Sequence, residues 1–304
     1  MQCFKPIKIV KNLSPEYYPN GLEVGCGKCL GCRVHLRREW TLRCYHELSA
    51  HPRAVFITLT YDNDNLPEFG SLRKRHMQLF LKRLRKRIEP RQIRYVLTGE
   101  YGSTRYTERP HYHGIIFGLG FDFYTVGILK ELWKYQSYWS SKNFGFATWQ
   151  SISYVAGYLH KINGNLDSRQ NTWYPREKPF RMLSQGLGKE WLTKHSDMLE
   201  RDGYVSHRGR ALSIPRYYLN KIDPPVPNSP PSDHPLRVIL RQTSSEKRAE
   251  LIKIFTGVEN IDDPLLLSHD KWLKYFKGNA SARSYNASMI YEQLRRSYFR
   301  KNMI

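Results

Sequence analysis

The chain switches between two hydrophobic periods, and each switch marks an element. Val55-Phe56-Ile57-Thr58-Leu59-Thr60-Tyr61 is β-branched and aromatic and stops at Asp62-Asn63-Asp64-Asn65, which predicts a strand and its turn. Beyond Ser71, the apolar residues Met77, Phe80, Leu81, Leu84 and Ile88 recur in steps of three and four, the period of an amphipathic helix. Ile93–Glu100 and His111–Gly118 read as strands separated by a polar, turn-rich segment. Val34–Leu48, Ile128–Trp139 and Ser151–Ile162 read as helices, and Phe144–Trp149 as a short strand. The order β-α-β-β-α-β with a central hairpin predicts an α+β fold: a central antiparallel sheet with flanking helices packed on one face.

Residues 165–222 hold several Gly and Pro and show no clear period, whereas Asp223–Pro235 has six prolines in 13 residues and reads as a stiff linker. The expected organisation is a cysteine-rich element and helix at 1–50, an α+β domain at 51–222 and a linker at 223–235. A basic helical extension at 236–304 follows, ending in the pattern Ser281–Lys301.

Charge narrows the partner. The 304 residues include 49 Lys+Arg against 27 Asp+Glu, a net charge of +22 that repels itself in a compact state. A polyanion is the natural counterpart, and nucleic acid fits better than an anionic membrane. No apolar run approaches a spanning length, and Met1–Lys11 lacks the apolar block of a signal peptide, so a soluble, cytoplasmic protein is expected. Arg73, Lys74, Arg75, Lys82, Arg83, Arg85, Lys86 and Arg87 crowd the polar side of the second helix with almost no acid before Glu89. They are candidate DNA-phosphate contacts, the alternative being a solvated outer face.

All five cysteines (Cys3, Cys26, Cys29, Cys32 and Cys44) fall within the first 44 residues. An odd, clustered set points away from a disulfide scaffold and toward a metal. Cys26-x2-Cys29-x2-Cys32 suits structural Zn2+, with Cys3 and Cys44 as candidates for the fourth ligand. Free thiols and an iron–sulfur cluster are the alternatives. Lys28 and Arg33 beside the cluster suit DNA contact.

The chemistry concentrates in two places. His111 and His113, two apart on a strand, project from one face, and Glu100 at the end of the partner strand can join them. Two imidazoles and a carboxylate leave coordination positions open for a phosphate oxygen, and Mg2+ or Mn2+ suits such a site better than Zn2+. A pair of ordinary strand histidines is the alternative. In Tyr154-Val155-Ala156-Gly157-Tyr158-Leu159-His160-Lys161, Tyr154, Tyr158 and Lys161 share one helix face. With 21 tyrosines in the chain, a packed core pair is the competing explanation. A tyrosine attacking a phosphodiester conserves its energy in a phosphotyrosine, so the break can be resealed without a nucleotide. Gly27-Lys28 resembles a phosphate-binding loop, but the first glycine falls at 21 where 22 is needed and Cys29 replaces Ser/Thr. Unwinding would therefore fall to a host helicase.

Phe56-Ile57-Thr58-Leu59-Thr60-Tyr61, Arg109-Pro110-His111-Tyr112-His113-Gly114 and Tyr154–Lys161 resemble the three ordered motifs of the HUH endonuclease superfamily. The two-tyrosine motif and the opening Cys26-Gly27-Lys28-Cys29-Leu30-Gly31-Cys32-Arg33 are most similar to replication initiators of microviruses, the gokushoviruses in particular. The resemblance spans roughly residues 1–220 and weakens after Ile162. It implies that 51–222 is an HUH endonuclease domain, with metal ligation by His111 and His113, nucleophilic attack by Tyr154 and Tyr158, and a catalytic role for Lys161. It further implies nicking of single-stranded origin DNA to start rolling-circle replication, with a 5′-phosphotyrosine link and a free 3′-hydroxyl for a host polymerase. Ser184-Gln185-Gly186-Leu187-Gly188 and Ile214-Pro215-Arg216-Tyr217-Tyr218 also look familiar but carry no assignable chemistry. A relaxase or transposase on the same scaffold is the rival enzyme; a non-catalytic zinc-containing nucleic-acid-binding protein is the rival of another class.

Overall fold

The structure, a computed structural model, describes residues 7–27, 29–102, 108–159, 174–226 and 230–240. In chain order the elements are β1 (Ile7–Ile9), β2 (Leu22–Val24), α1 (Leu30–Ala50), β3 (Ala54–Leu59), α2 (Lys74–Ile88), β4 (Arg94–Tyr101) and β5 (Pro110–Phe117). They continue with α3 (Phe123–Leu132), β6 (Phe144–Phe146), α4 (Trp149–Leu159), β7 (Phe180–Leu183), α5 (Lys189–Asp202), β8 (Val205–His207), β9 (Arg210–Leu212) and α6 (Arg216–Ile222). The central sheet has five strands in the order β6-β3-β5-β4-β7, each pair antiparallel. The expected α+β class with a central antiparallel sheet is what the chain adopts.

Strand alternation sends two different sets of side chains to the two faces. Val55, Ile57, Leu59, Leu97, Tyr112 and Ile116 pack with Met77, Phe80, Leu81 and Leu84 of α2 and with Ile128, Leu129 and Leu132 of α3. Ala54, Val96, Ile115 and Phe117 point the other way and pack with Cys44 of α1 and Ile152, Val155 and Leu159 of α4. Helices therefore cover both faces, not one. The apolar stripe of a helix reveals that it packs on a sheet but not on which side.

Element boundaries also move. The third helix starts at Phe123, five residues before the expected Ile128, because the Asp122 carboxylate accepts the Thr125 backbone N–H at 2.8 Å and caps it. The sixth strand stops at Phe146 because Thr148 and Ser151 bond each other's backbone N–H groups, at 3.2 and 2.8 Å, and open α4. The stretch 165–222, expected to be irregular, supplies sheet strand β7, helices α5 and α6 and the hairpin β8-β9 where it is described.

Gly114 shows how tightly the centre is built. A Cβ there would come within 2.0 Å of Leu97 Cδ2 and 2.8 Å of the Val96 carbonyl oxygen, so only glycine fits between β5 and β4. A second tight spot explains the two segments without chemistry. A Cβ on Gly188, whose φ is +78°, would meet the Tyr218 hydroxyl at 2.2 Å, and the Gly188 N–H donates to Glu47 at 2.7 Å. The buried Glu47 carboxylate also pairs with Arg94 and with His51. These segments lock onto α1; their role is packing.

The chain divides into two compact units. One takes in the sheet and its helices, Leu22–Leu199 and Tyr204–Pro224 together with the strand ending at Ile9; the other holds Val10–Gly21, Glu200–Gly203 and the residues from Pro225 on. Among the described residues no helix is long and apolar enough to cross a membrane. The expected terminal helix Ser281–Lys301 lies outside the described residues.

Candidate functional site

Thr58, Thr98, Glu100, His111 and His113 all fall on the sheet face covered by α1 and α4. Pairing fixes their neighbours: Glu100 stands directly across from His111, and His113 is flanked by Thr98 on one side and Thr58 on the other. His113 Nε2 lies 3.4 Å from Glu100 Oε1. The His111 and His113 rings are parallel within 2°, their centroids 6.1 Å apart.

Each imidazole is oriented from behind. His111 Nδ1 is 2.7 Å from the Arg109 carbonyl oxygen. A carbonyl only accepts, so Nδ1 carries the proton and Nε2 keeps its lone pair. His113 Nδ1 lies 3.0 Å from Thr58 Oγ1, a hydroxyl that can give or take the hydrogen, and Nε2 faces Glu100. Burial, partly opposed by the Arg109 bond, pulls the His111 pKa below its ordinary value and favours the neutral, ligand-competent ring. Two imidazoles backed by hydrogen bonds and one carboxylate are a donor set that fits a divalent cation. Their ligand atoms do not all lie within 4.8 Å of one another, as those of the cysteine trio described below do.

Above this face, α4 presents both tyrosines to the same imidazole. Tyr158 stacks on His113 at 5.0 Å between centroids, and Tyr154 meets it edge-on at 5.3 Å. The two phenol rings are 5.0 Å apart and nearly perpendicular. Phe56 supports Tyr154 from β3. Tyr154 is 44% exposed, whereas burial, a bond to Tyr154 and the negative Glu100 raise the Tyr158 pKa well above that of an ordinary phenol. Gly157 packs toward Arg37: an added Cβ would sit 3.7 Å from Arg37 Nε, an ordinary contact, and Arg37 Nε donates to the Ser153 carbonyl at 2.9 Å. Lys161 lies outside the described residues.

Sequence reading missed Thr58 as the partner of His113. The signal was present in strand parity, since Phe56, Thr58 and Thr60 share the side opposite the apolar Val55, Ile57 and Leu59.

The basic helix is not brought to this face. α2 lies across the sheet, where Arg73 pairs with Glu177 at 3.7 Å and Arg83 donates to the Leu132 carbonyl at 3.1 Å. Arg85 lies 5.4 Å from the centre of the Tyr95 ring. Lys74, Arg75, Lys82, Lys86 and Arg87 are exposed.

The cysteines separate into two environments. Cys26, Cys29 and Cys32 bring their sulfurs within 4.8 Å of one another, the one such three-ligand group among the described residues. Cys29 caps α1, and two backbone N–H groups point at sulfur: Cys29 N to Cys26 Sγ at 3.3 Å and Cys32 N to Cys29 Sγ at 3.5 Å. Gly27, at φ +70°, makes the turn between the first two. Cys44 is elsewhere, three turns along α1 in the core, its thiol pushed up to about 12 by burial. That places it apart from the trio. Cys3 and Lys28 lie outside the described residues.

Comparison with known proteins gives the context. A family model for replication-associated proteins of the ORF2 type matches residues 54–163, from the start of β3 past the end of α4. The chain is 30% identical over 248 residues to replication-associated protein VP4 of Bdellovibrio phage phiMH2K, covering 72% of this chain and 76% of that protein. It is 29% identical over 267 residues to replication-associated protein ORF2 of Spiroplasma virus 4, covering 73% and 81%. Replication-associated protein ORF4 of Chlamydia phage 1 is 29% identical over 221 residues, covering 64% of this chain and 52% of that protein. No solved structure matches.

Proposed function

The chain belongs to the family of phage replication-associated proteins, and on that premise we propose that it starts rolling-circle replication by nicking single-stranded origin DNA with a tyrosine. The observation that carries this reading is the convergence on His113: Tyr154, Tyr158 and Glu100 all touch or face one imidazole that is itself held by Thr58.

His111, His113 and Glu100 would hold Mg2+ or Mn2+, which when bound draws charge from the non-bridging oxygens of the phosphodiester. The residues supply the rest. Tyr158 has one phenolic proton and hydrogen-bonds with both Glu100 and Tyr154. A carboxylate only accepts, so the Tyr158 proton can pass to Glu100, and once it does the Tyr158 oxygen is free to accept the proton of Tyr154.

A relay follows. As the Tyr154 oxygen bonds to phosphorus, its proton passes to Tyr158 and that of Tyr158 passes to Glu100. The phosphorus–O3′ bond breaks, its electron pair leaves with the 3′ oxygen, and that oxygen takes up a proton from water to become the priming hydroxyl, while Glu100 returns its proton to the resulting hydroxide. Because burial makes a free Tyr158 phenolate costly, proton transfer concurrent with attack is favoured over prior ionisation. The phosphotyrosine keeps the bond energy for later joining. Lys161 is assigned to assist the tyrosine or the phosphate. The trio Cys26, Cys29 and Cys32 is assigned a structural Zn2+.

The test is covalent capture on single-stranded DNA tiled across the genome that encodes the chain, with and without Mn2+. Tyr154→Phe and Tyr158→Phe should each still form a protein–DNA adduct, both more slowly than the parent because the first loses the exposed nucleophile and the second its proton carrier, and the double variant should form none. Adduct formation by the double variant, or no metal-dependent cleavage by the parent on any tile, would refute the proposal.

A further inference from the structure

The charge on α2 is not spent at the tyrosines, because a sheet stands between them, and its surroundings point to a separate ligand. Lys82, Lys86 and Arg87 are exposed near its C-terminal end, and Arg91 is exposed just beyond it. A cleft of about 160 Å3 opens there, between Arg87, Arg91, Ile88, Leu119 and Tyr124, with Glu89 on one wall. Beside it, the first turn of α3 displays two adjacent aromatics, Phe123 at 98% and Tyr124 at 66% exposed. Water-facing aromatics of this size interleaved with arginines have the composition of a stacking platform for bases.

The geometry selects single-stranded nucleic acid. The bases of a duplex are sealed against each other and offer nothing to Phe123 or Tyr124. The cleft is well below the roughly 300 Å3 of an ordinary ligand pocket, so it takes one flat ring rather than a whole nucleotide. Its floor is apolar at Ile88 and Leu119, which suits a base. Glu89 lines the cleft as well and its carboxylate repels phosphate, which leaves Arg87 and Arg91 as the groups that attract it. Stacked layers of a fold sit about 10 Å apart, so nucleotides seated at the tyrosines cannot occupy this surface.

We propose that Arg87, Arg91, Phe123 and Tyr124 form a second binding site for single-stranded DNA, on the sheet face opposite the nucleophiles. The site rests on the nicking reading only for which strand fills it: the one displaced from the origin while the other end stays on tyrosine.

Three measurements test it on the full chain. Binding of oligo(dT) should weaken at least tenfold in the Phe123→Ala, Tyr124→Ala double variant, as expected when bases lose stacking partners. Duplex of the same length should bind the variant and the parent alike. Arg87→Glu with Arg91→Glu should lower the salt slope of oligo(dT) binding by about 1.4, near 0.7 per lost phosphate contact. All four side chains are exposed, and an unchanged melting temperature verifies folding. Ultraviolet cross-linking of oligo(dT) bearing 5-iododeoxyuridine should label Phe123 or Tyr124. Parental affinity in both double variants, or cross-links confined to the α4 face, overturns the proposal. If the variants lose oligo(dT) while the parent fails to nick with Mn2+, this site stands and the nicking reading falls; normal nicking with normal oligo(dT) binding in the variants gives the reverse.

Discussion

Thr58→Val separates a metal site from a mere pair of strand histidines. The substitution keeps the β-branched shape on β3 and removes only the hydroxyl that lies 3.0 Å from His113 Nδ1. His113 is buried, so a ring nitrogen is left without a partner at a cost of about 1–3 kcal/mol. Every 1.4 kcal/mol is tenfold in an equilibrium, so the lost bond is worth about 5- to 150-fold if it is felt at the metal. Second partners of metal-binding histidines carry about 10–100-fold, and that is the expected loss of Mn2+ affinity. Calorimetry on the purified chain measures it without needing the origin sequence. Thr60→Val is the control: its hydroxyl donates to the Pro110 carbonyl at 3.0 Å and to neither imidazole, so Mn2+ affinity should hold within about twofold while stability drops by a comparable amount. Equal Mn2+ affinity in Thr58→Val and the parent would refute the orienting role and, with it, the assignment of His113 as a ligand.

Gly114→Ala should destabilise the fold by at least about 1–3 kcal/mol, read as a lower denaturation midpoint, because the buried Leu97 and the Val96 carbonyl leave no room for a methyl. His46, buried and stacked on Trp191, has its pKa pulled down to about 3 by burial first and then by neighbouring histidines. Its folded value lies below the unfolded value near 6.5, so the unfolded chain binds the extra proton and stability falls as pH drops from about 6.5 toward 3. The loss is about 1.4 kcal/mol per pH unit. Urea unfolding at pH 7 and pH 5 should show that loss reduced in His46→Phe, and an equal loss in both proteins would contradict it. Purified protein should carry about one Zn per chain and lose it in Cys29→Ala; free titration of Cys26, Cys29 and Cys32 in the native state would count against the site.

What could be read from the sequence was what depends on local parity. His111 and His113 share a face because strands alternate, and Tyr154 and Tyr158 share one because helices turn in 3.6 residues. Neither fact needs the rest of the chain. β7 escaped because its four residues sit half-buried at the sheet edge with Arg181 among them, so neither alternation nor an apolar run marks it. The start of α3 escaped because its first turn carries the exposed Phe123 and Tyr124, which read as core residues and break the apolar stripe. The separation of Cys44 from the trio was legible in principle, since twelve residues of helix span about 18 Å, far beyond metal–sulfur bonding. The side of the sheet that each helix takes was not. That choice decides whether α2 serves the nucleophiles or a different stretch of DNA.

The two tyrosines are equivalent by spacing but not by packing. A helix puts residues four apart on nearly the same azimuth, which brings both within reach of His113. The sheet below then breaks the symmetry: Tyr158 lies flat on the imidazole and within bonding reach of Glu100, while Tyr154 stands edge-on with its ring 44% exposed. Under the proposed mechanism one carboxylate serves both, directly for Tyr158 and through the Tyr158 hydroxyl for Tyr154. The first cut then belongs to Tyr154, which DNA can approach without displacing anything. Its attack is speeded by the Tyr158 phenol acting as a proton carrier. Once Tyr154 is esterified, its own proton has gone and its bond to Tyr158 is lost, which frees the Tyr158 ring to leave the imidazole and meet a second phosphodiester. Under that mechanism, consumption of the first nucleophile is what releases the second, and a single base beneath two phenols set nearly at right angles orders the cuts.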